Sequence, residues 1–366
     1  MNYTNLYLQI ALTELRGIGP RKAKLLLDYV PNIEDIFTLP LKEIFLQTGI
    51  TVSTLSKMDR DGALRSAETI LQHCESLELT PLFYTDPRYS RRLKQCDDAP
   101  LIIYTKGEMD LNTARFVSIV GTRTPSEEGY QKCRDLVEGL SEAGVVVVSG
   151  LAYGIDVCAH KTSMENNLPT IAVLAHGLER IYPSHHRKIA HQMLGNGGLL
   201  TEYAPHAHVD KENFPMRNRI VAGMCDATIV VESKSRGGSL ITADLANDYN
   251  REVFAYPGSV YNEFASGCND LIAENKATLL RGPEDLLNRM GWENNRMKEV
   301  KQLSLFNTLS EQERQLIEVL HRTSAIHIDH LMEELRYSIA DLNVILFQLE
   351  MEGLIRPLPG NRYQLA

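Results

Sequence analysis

The stretches FVSIVGTRT, residues 116–124, and VVVVSGLAYGID, residues 145–156, share one layout. A short apolar, β-branched run ends in a glycine turn, and a helix-compatible segment follows. The runs are continuous rather than alternating, which is the pattern of strands buried on both faces. The layout recurs outward on either side. Candidate strands are Leu101–Thr105, Phe116–Val120, Val145–Val148, Thr170–Leu174, Leu199–Thr201, Thr228–Glu232 and Val253–Tyr256, with helical segments such as Glu127–Ala143 and Ser239–Tyr249 between them. Strand alternating with helix predicts a doubly wound α/β domain with a mostly parallel sheet. Its ligands belong at the carboxyl ends of the strands.

This domain occupies residues 80–290. Residues 1–75 read as a helical domain, residues 291–306 as a polar linker and residues 307–366 as a second, mostly helical domain. The 43% hydrophobic content is enough for a sizeable core and excludes general disorder. No apolar run reaches the ~18–20 residues of a membrane span, and the N-terminus lacks the basic start and cleavage site of a secretory signal. A cytoplasmic protein without membrane partners is expected. The net charge of −9 argues against wrapping duplex DNA by bulk charge, but leaves room for a local phosphate site. The six cysteines are scattered without a Cys-x-x-Cys pair, so neither structural zinc nor a disulfide framework is expected.

Three strands run into glycine loops followed by helices: Gly121-Thr122-Arg123, Ser149-Gly150 through Gly154, and Arg236-Gly237-Gly238-Ser239. A helix start offers unpaired N–H groups and a partial positive charge, and glycine lets an anion come close. Three such loops at one sheet edge, with the Arg123 fork, predict a phosphate pocket. None is a clean dinucleotide fingerprint or P-loop, so no cofactor is expected. The segment Phe214-Pro215-Met216-Arg217-Asn218-Arg219 adds two arginines, an amide and an aromatic ring that can stack a base. Asp156 and His160 share a helix face and read as a loop cap and a buried hydrogen-bonding imidazole. The pairs His185-His186 and His206-Ala207-His208 lack a carboxylate cluster, so no metal site is expected.

Taken together, these segments resemble the DNA-processing protein A family (DprA, also called Smf). The matching residues include Tyr84-Thr85-Asp86-Pro87, Val120-Gly121-Thr122-Arg123, Ser149-Gly150-Leu151-Ala152, Gly154-Ile155-Asp156, Phe214-Pro215, Arg217-Asn218-Arg219-Ile220, Gly238-Ser239-Leu240, Pro257-Gly258 and Ser266-Gly267-Cys268-Asn269. One departure is Gly237, where the family often has serine; a hydroxyl is lost but the backbone donors remain. The resemblance implies a Rossmann-like fold and a non-catalytic, homodimeric protein that binds incoming single-stranded DNA and loads the RecA recombinase onto it during natural transformation. It also implies that Arg123, Ser149, Gly150, Phe214, Arg217, Asn218 and Gly238 contact DNA. The loop reading adds Gly121, Gly154 and Ser239, and the Phe214–Arg219 segment adds Arg219.

The flanking domains carry weaker motifs. The turn Leu15-Arg16-Gly17-Ile18-Gly19-Pro20 resembles a helix-hairpin-helix in a SAM-like helical domain. Gly17 and Gly19 would offer amides to a DNA phosphate, with Arg21 and Lys22 beside them; an interaction-only helical domain is the alternative. The C-terminal segment resembles a winged helix, with helices at Ile328–Leu335 and Ser338–Gly353 and a wing formed by Ile355–Pro357 and Tyr363–Leu365. Its recognition-helix candidate holds no Lys or Arg, which favours a protein contact over duplex reading. In the linker, Gln302-Leu303-Ser304-Leu305-Phe306 resembles the peptide by which bacterial proteins dock on the replication sliding clamp.

An enzyme is the rival reading. Related-looking α/β domains cleave nucleoside monophosphates through a Pro-Gly-Gly-x-Gly-Thr-x-x-Glu loop. Here the corresponding loop, Arg236–Ala243, lacks the glutamate, leaving Glu202 and Glu232 as replacements.

Overall fold

The computed structural model describes residues 3–292, 310–322, 326–351, 354–358 and 361–365. The chain divides into two compact units, Met1–Trp292 and Glu293–Ala366. The first unit is built on a nine-stranded sheet. Its strands are β1 (Thr80–Phe83), β2 (Ile102–Lys106), β3 (Arg115–Val120), β4 (Val145–Ser149), β5 (Thr170–Val173), β6 (Gly197–Thr201), β7 (Ala227–Val230), β8 (Glu252–Ala255) and β9 (Thr278–Leu279). The order is β1-β2-β6-β5-β4-β3-β7-β8-β9. From β6 to β9 every pairing is parallel; β2 joins β6 and β1 joins β2 antiparallel. All seven sequence-expected strands form, with ends shifted by a residue or two. Two strands were not expected. β1 contains Pro81 and is an edge strand, where a missing N–H is tolerated. β9 has only two residues.

The continuous apolar runs follow from coverage on both faces. Along β3 and β4, Phe116, Val120, Val146 and Val148 pack into one core with Ile220, Val221, Ala243 and Ala246. Their neighbours Val117, Ile119, Val145 and Val147 pack into the other with Cys133, Leu136, Ile155 and Ala159. Successive side chains point to opposite faces, so every position is buried. The one polar residue inside β3, Ser118, hydrogen-bonds Thr228 of β7 at 2.7 Å. All six cysteines are buried and free.

The chain runs outward from β3 through β4 and β5 to β6, then returns by helix Asn213–Gly223 to place β7 on the other side of β3. This reversal between β3 and β7 is the topological switch point, where open α/β sheets bind ligands.

The N-terminal helices, among them Tyr3–Thr13, Pro20–Tyr29, Leu41–Thr48 and Arg60–Ser76, do not keep a core to themselves. Ile10, Leu26, Ile44 and Ile70 share one apolar cluster with Ile102 and Tyr104 of β2, Ala172 of β5 and Leu199 of β6. The break expected near residue 75 is therefore a change of composition without a gap in packing.

The second unit contains helices Glu311–Arg322, Ile328–Leu335 and Ile339–Met351, with strands β10 (Ile326–His327), β11 (Ile355–Leu358) and β12 (Arg362–Leu365) in the order β10-β12-β11. Leu316, Leu320, Leu331, Leu342, Ile345 and Leu349 fill its core. The second and third helices and the wing fall where the sequence placed them, and a first helix, Glu311–Arg322, completes the unit. The peptide Gln302, Leu303, Leu305, Phe306 lies outside the described residues. No helix among the described residues is long and apolar enough to cross a membrane.

The shared core is testable. Trp292 is the chain's single tryptophan and is buried against the α/β half. Leu26→Ala in the N-terminal helices should cost about 2–5 kcal/mol and lower the urea midpoint read by Trp292 fluorescence. An unmoved Trp292 transition would mean that the helices unfold separately.

Candidate nucleic-acid interface

The loops after β3, β4 and β7 converge at the switch point around a cleft of about 420 Å³. The first helical turns after β6 and β7 complete it. Gly121, Arg123, Gly150, Phe214, Arg217, Asn218, Gly238 and Ser239 all line it, as do Lys234 and Arg236. The structure thus brings together most of the residues the sequence singled out. Their roles differ.

The loop after β4 is already filled from within. The Asp156 carboxylate accepts hydrogen bonds from the Gly150 and Ala152 amides, at 3.2 and 3.4 Å. These are the amides expected to receive a phosphate. Burial pushes the Asp156 carboxyl above the usual carboxylate range; Arg217 and the two amides oppose that rise. Ser149 is fully buried and donates to the Ile119 carbonyl at 2.7 Å. Arg217 is buried too. Its guanidinium donates to the Gly150 carbonyl at 2.8 Å, to the Val173 carbonyl, and from Nε to the Asn218 side chain at 3.2 Å. Burial pulls its pKa down and the Asp156 charge holds it up. Ser149, Gly150, Asp156 and Arg217 therefore form the floor, their hydrogen bonds spent inside the protein.

Gly121 and Gly154 hold the loops together. Gly154 has φ +78°, and a side chain there would run into the Thr122 carbonyl; one at Gly121 would meet Ile155. The Thr122 carbonyl accepts the Ile155 amide at 3.2 Å, which locks the first loop to the second.

The free groups sit on the rim. Arg123 is exposed, with its guanidinium 5.9 Å from the Phe214 ring centroid. Phe214 is half-buried and packs edge-on to Tyr182 at 5.7 Å. Arg236 is exposed. Neither Arg123 nor Arg236 has an acidic partner among the described residues. Lys234 pairs with Glu263 at 2.8 Å and covers Phe264. The helix Gly238–Asp248 begins at Gly237 without a side-chain cap, so the Gly238 and Ser239 amides have no acceptor among the described residues. The Ser239 hydroxyl itself donates to Ser233 at 2.9 Å. Lys234 and Arg236 were missed as contact residues, although two cations just before an uncapped helix start are a readable anion signal.

Arg219 lies elsewhere. It is buried against Glu202, with which it forms an ion pair, and donates to the Asp98 carbonyl at 2.7 Å. Two residues apart on a helix point in nearly opposite directions, so Arg217 and Arg219 serve different sides of helix Asn213–Gly223. Gly17 and Gly19 form the turn before helix Pro20–Tyr29. Arg21 and Lys22 are exposed at its start, and Lys22 reaches the Gly17 carbonyl at 3.3 Å. Glu232 accepts the Ser126 amide and hydroxyl at 2.8 and 2.7 Å. Both candidate replacement glutamates are thus engaged in structural contacts. Among the described residues, no group of three or more His, Cys, Asp or Glu could hold a metal.

Behind the floor, His160 hydrogen-bonds Thr170 at 2.7 Å. Burial, helped by the Arg217 and His186 charges, depresses its pKa to about 3. An unfolded histidine titrates near 6.5, so the unfolded chain takes up the proton first. The contribution is present above about pH 6.5 and is lost as pH falls toward 3, at about 1.4 kcal/mol per pH unit. Urea titrations between about pH 6 and 4 should show this slope, and His160→Gln should flatten it. An unchanged slope in the variant would assign the acid sensitivity to other groups.

The comparisons with known proteins cover both units. The family model for DNA recombination-mediator protein A matches residues 80–291, and that for the DprA winged helix domain matches residues 307–361. Protein Smf of Synechocystis is 30% identical over 97% of each chain. DNA processing protein DprA of Streptococcus pneumoniae is 41% identical over 55% of this chain and 71% of its own. The X-ray structure of DprA from that organism has a TM-score of 0.66 at 32% identity, covering 79% of this chain and 97% of that one. The DprA structure from Helicobacter pylori, described for its unique single-stranded DNA binding mode, has a TM-score of 0.53 at 27% identity, covering 58% and 95%. With both family models in place and a relative aligned along nearly its whole length, the chain belongs to the DprA/Smf family of DNA-processing proteins.

Proposed function

We propose that this protein binds single-stranded DNA in the switch-point cleft, shields the strand, and passes it to a RecA-type recombinase as a homodimeric, non-catalytic mediator in the cytoplasm. The observation that carries the reading is the pairing of Arg123 with Phe214 at the rim. A free guanidinium for phosphate stands beside an aromatic face for a base, and the uncapped Gly238 and Ser239 amides supply further anion donors. A base must be unstacked to reach Phe214, so an intact duplex gains nothing from it. The carboxylates that could have done chemistry are engaged: Asp156 accepts two loop amides, Glu202 pairs through Oε2 with Arg219, and Glu232 accepts the amide and hydroxyl of Ser126, the N-cap of helix Glu127–Gly139. The Helicobacter relative's single-strand binding supports the same reading. In the winged unit, the exposed Val344, Phe347 and Met351 on a helix without Lys or Arg support a protein-facing role.

Anisotropy titrations with matched single and double strands across a salt series test the proposal. Phe214→Ala should lose about 1–3 kcal/mol of single-strand binding. Arg123→Ala should lower the log–log salt slope by about 0.7, the value of one phosphate contact. Wild-type behaviour in both variants would place the strand elsewhere. Arg217→Ala is a poorer probe, because it leaves the Gly150 and Val173 carbonyls in the floor without their donor and should cost about 1–3 kcal/mol of stability for each.

The segment Gln302–Phe306 adds a proposed sliding-clamp contact. Leu305→Ala with Phe306→Ala should abolish retention on immobilised clamp; undiminished retention would remove the assignment.

A further inference from the structure

A second cleft, of about 640 Å³, opens on the opposite face of helix Asn213–Gly223. Phe214, Arg217, Asn218 and Val221 line the first cleft, while Asn213, Met216 and Arg219 line the second. At about 3.6 residues per turn the two sets fall on opposite sides of the helix. Its exposed first turn, carrying Pro215 and Met216, is the ridge between the clefts.

The far wall comes from the N-terminal helices. Gly19, Arg21 and Lys22 reach the cleft from the start of helix Pro20–Tyr29, and Tyr203 lines it just after β6. The charges here are unequal in availability. Arg219 is committed to Glu202 and to the Asp98 carbonyl, and the Asp98 side chain accepts from Tyr249 at 2.7 Å. Arg21 has no acidic partner among the described residues, and Lys22 touches only the Gly17 carbonyl. Gly19 gives no side-chain cap to the helix it starts. Two available cations and uncapped amides therefore face a half-buried tyrosine and an exposed methionine. This is the composition of a stacking platform beside a phosphate track. The volume lies within the ~300–1,000 Å³ of small-ligand pockets, too small for a duplex.

We propose that the second cleft is a further single-strand subsite. Tyr203 and Met216 receive a base there, and Arg21 and Lys22 hold flanking phosphates of the strand already seated in the first cleft. The inference rests on the single-strand reading of that first cleft and extends it across one helix width, ~10 Å. It also gives the N-terminal turn a role distinct from a free-standing duplex-binding hairpin, since its cations face the α/β half.

The test compares oligothymidylates of about 6 and about 20 nucleotides, lengths that bracket one binding module and more. In the wild type the longer strand should bind more tightly and with the steeper salt slope. Arg21→Ala with Lys22→Ala should weaken the longer strand about tenfold and lower its slope by about 1.4, for two phosphate contacts at ~0.7 each. Tyr203→Ala should weaken it at least about fivefold. Lys42→Ala, an exposed cation outside both clefts, should change neither quantity. If the double variant keeps the wild-type affinity and slope for the longer strand while Arg123→Ala weakens both lengths, the second subsite is wrong and the first stands. If Arg123→Ala weakens neither length, the first cleft is wrong and the second falls with it.

Discussion

The site depends on two buried opposite charges, Arg217 and Asp156, which act on each other through their field without a direct ion pair. Carbonyls at the ends of β4 and β5 have no further strand to pair with. The Arg217 fork takes both, from Gly150 and Val173, and so binds two strand ends to helix Asn213–Gly223. A buried guanidinium is costly without a counter-charge nearby. Asp156 supplies it, and in doing so occupies the amides of Gly150 and Ala152. Each charge makes the other tolerable, and together they fix the loop between Ser149 and Gly154. The floor thus carries one charge of each sign, with its hydrogen bonds spent inside the protein. Attraction for a polyanion is left to the rim, to Arg123, Arg236 and the start of helix Gly238–Asp248.

Much of the fold was legible because strands buried on both faces favour continuous β-branched runs, such as the four valines Val145–Val148. β1 and β9 escaped for opposite reasons: Pro81 reads as a strand breaker, and two residues carry no period. The site was legible as a set of loops but not as a set of roles. Three glycine loops look alike in sequence, yet one of them is sealed by its own aspartate six residues from Gly150. Local sequence marks Asp156 as a cap; only the assembled loop shows that the capped amides are the ones a phosphate would need. The separation of Arg217 from Arg219 was readable in principle from helical geometry, because positions two apart diverge. Both are buried, and what each one meets depends on distant segments: the Gly150 and Val173 carbonyls for Arg217, Glu202 and the Asp98 carbonyl for Arg219.

The N-terminal helices show a second limit. Their amphipathic pattern says that a face must be covered, and composition sets them apart from the α/β region. Neither reveals what covers that face. The cover is the sheet itself at β2, β5 and β6, through Tyr104, Ala172 and Leu199. The consequence is positional. Because the helices share a core with that end of the sheet, the turn at Gly17 to Lys22 stands across a cleft from Tyr203 and Met216 within one compact unit.

The proposal that an acidic chain binds a polyanion is less contradictory than its charge of −9 suggests. Screening limits exposed charges to a reach of ~8 Å at physiological ionic strength. Carboxylates such as Glu127, Glu128 and Asp285 are moreover paired with Arg134, Lys132 and Arg281. A strand inside the cleft feels the nearby rim cations and little of the distant acids. On the proposed reading, a base still stacked in a duplex would not reach Phe214 and would meet the rim cations alone. Preference for single strands would then come from stacking at the aromatic rim, with the local cations supplying affinity for either form.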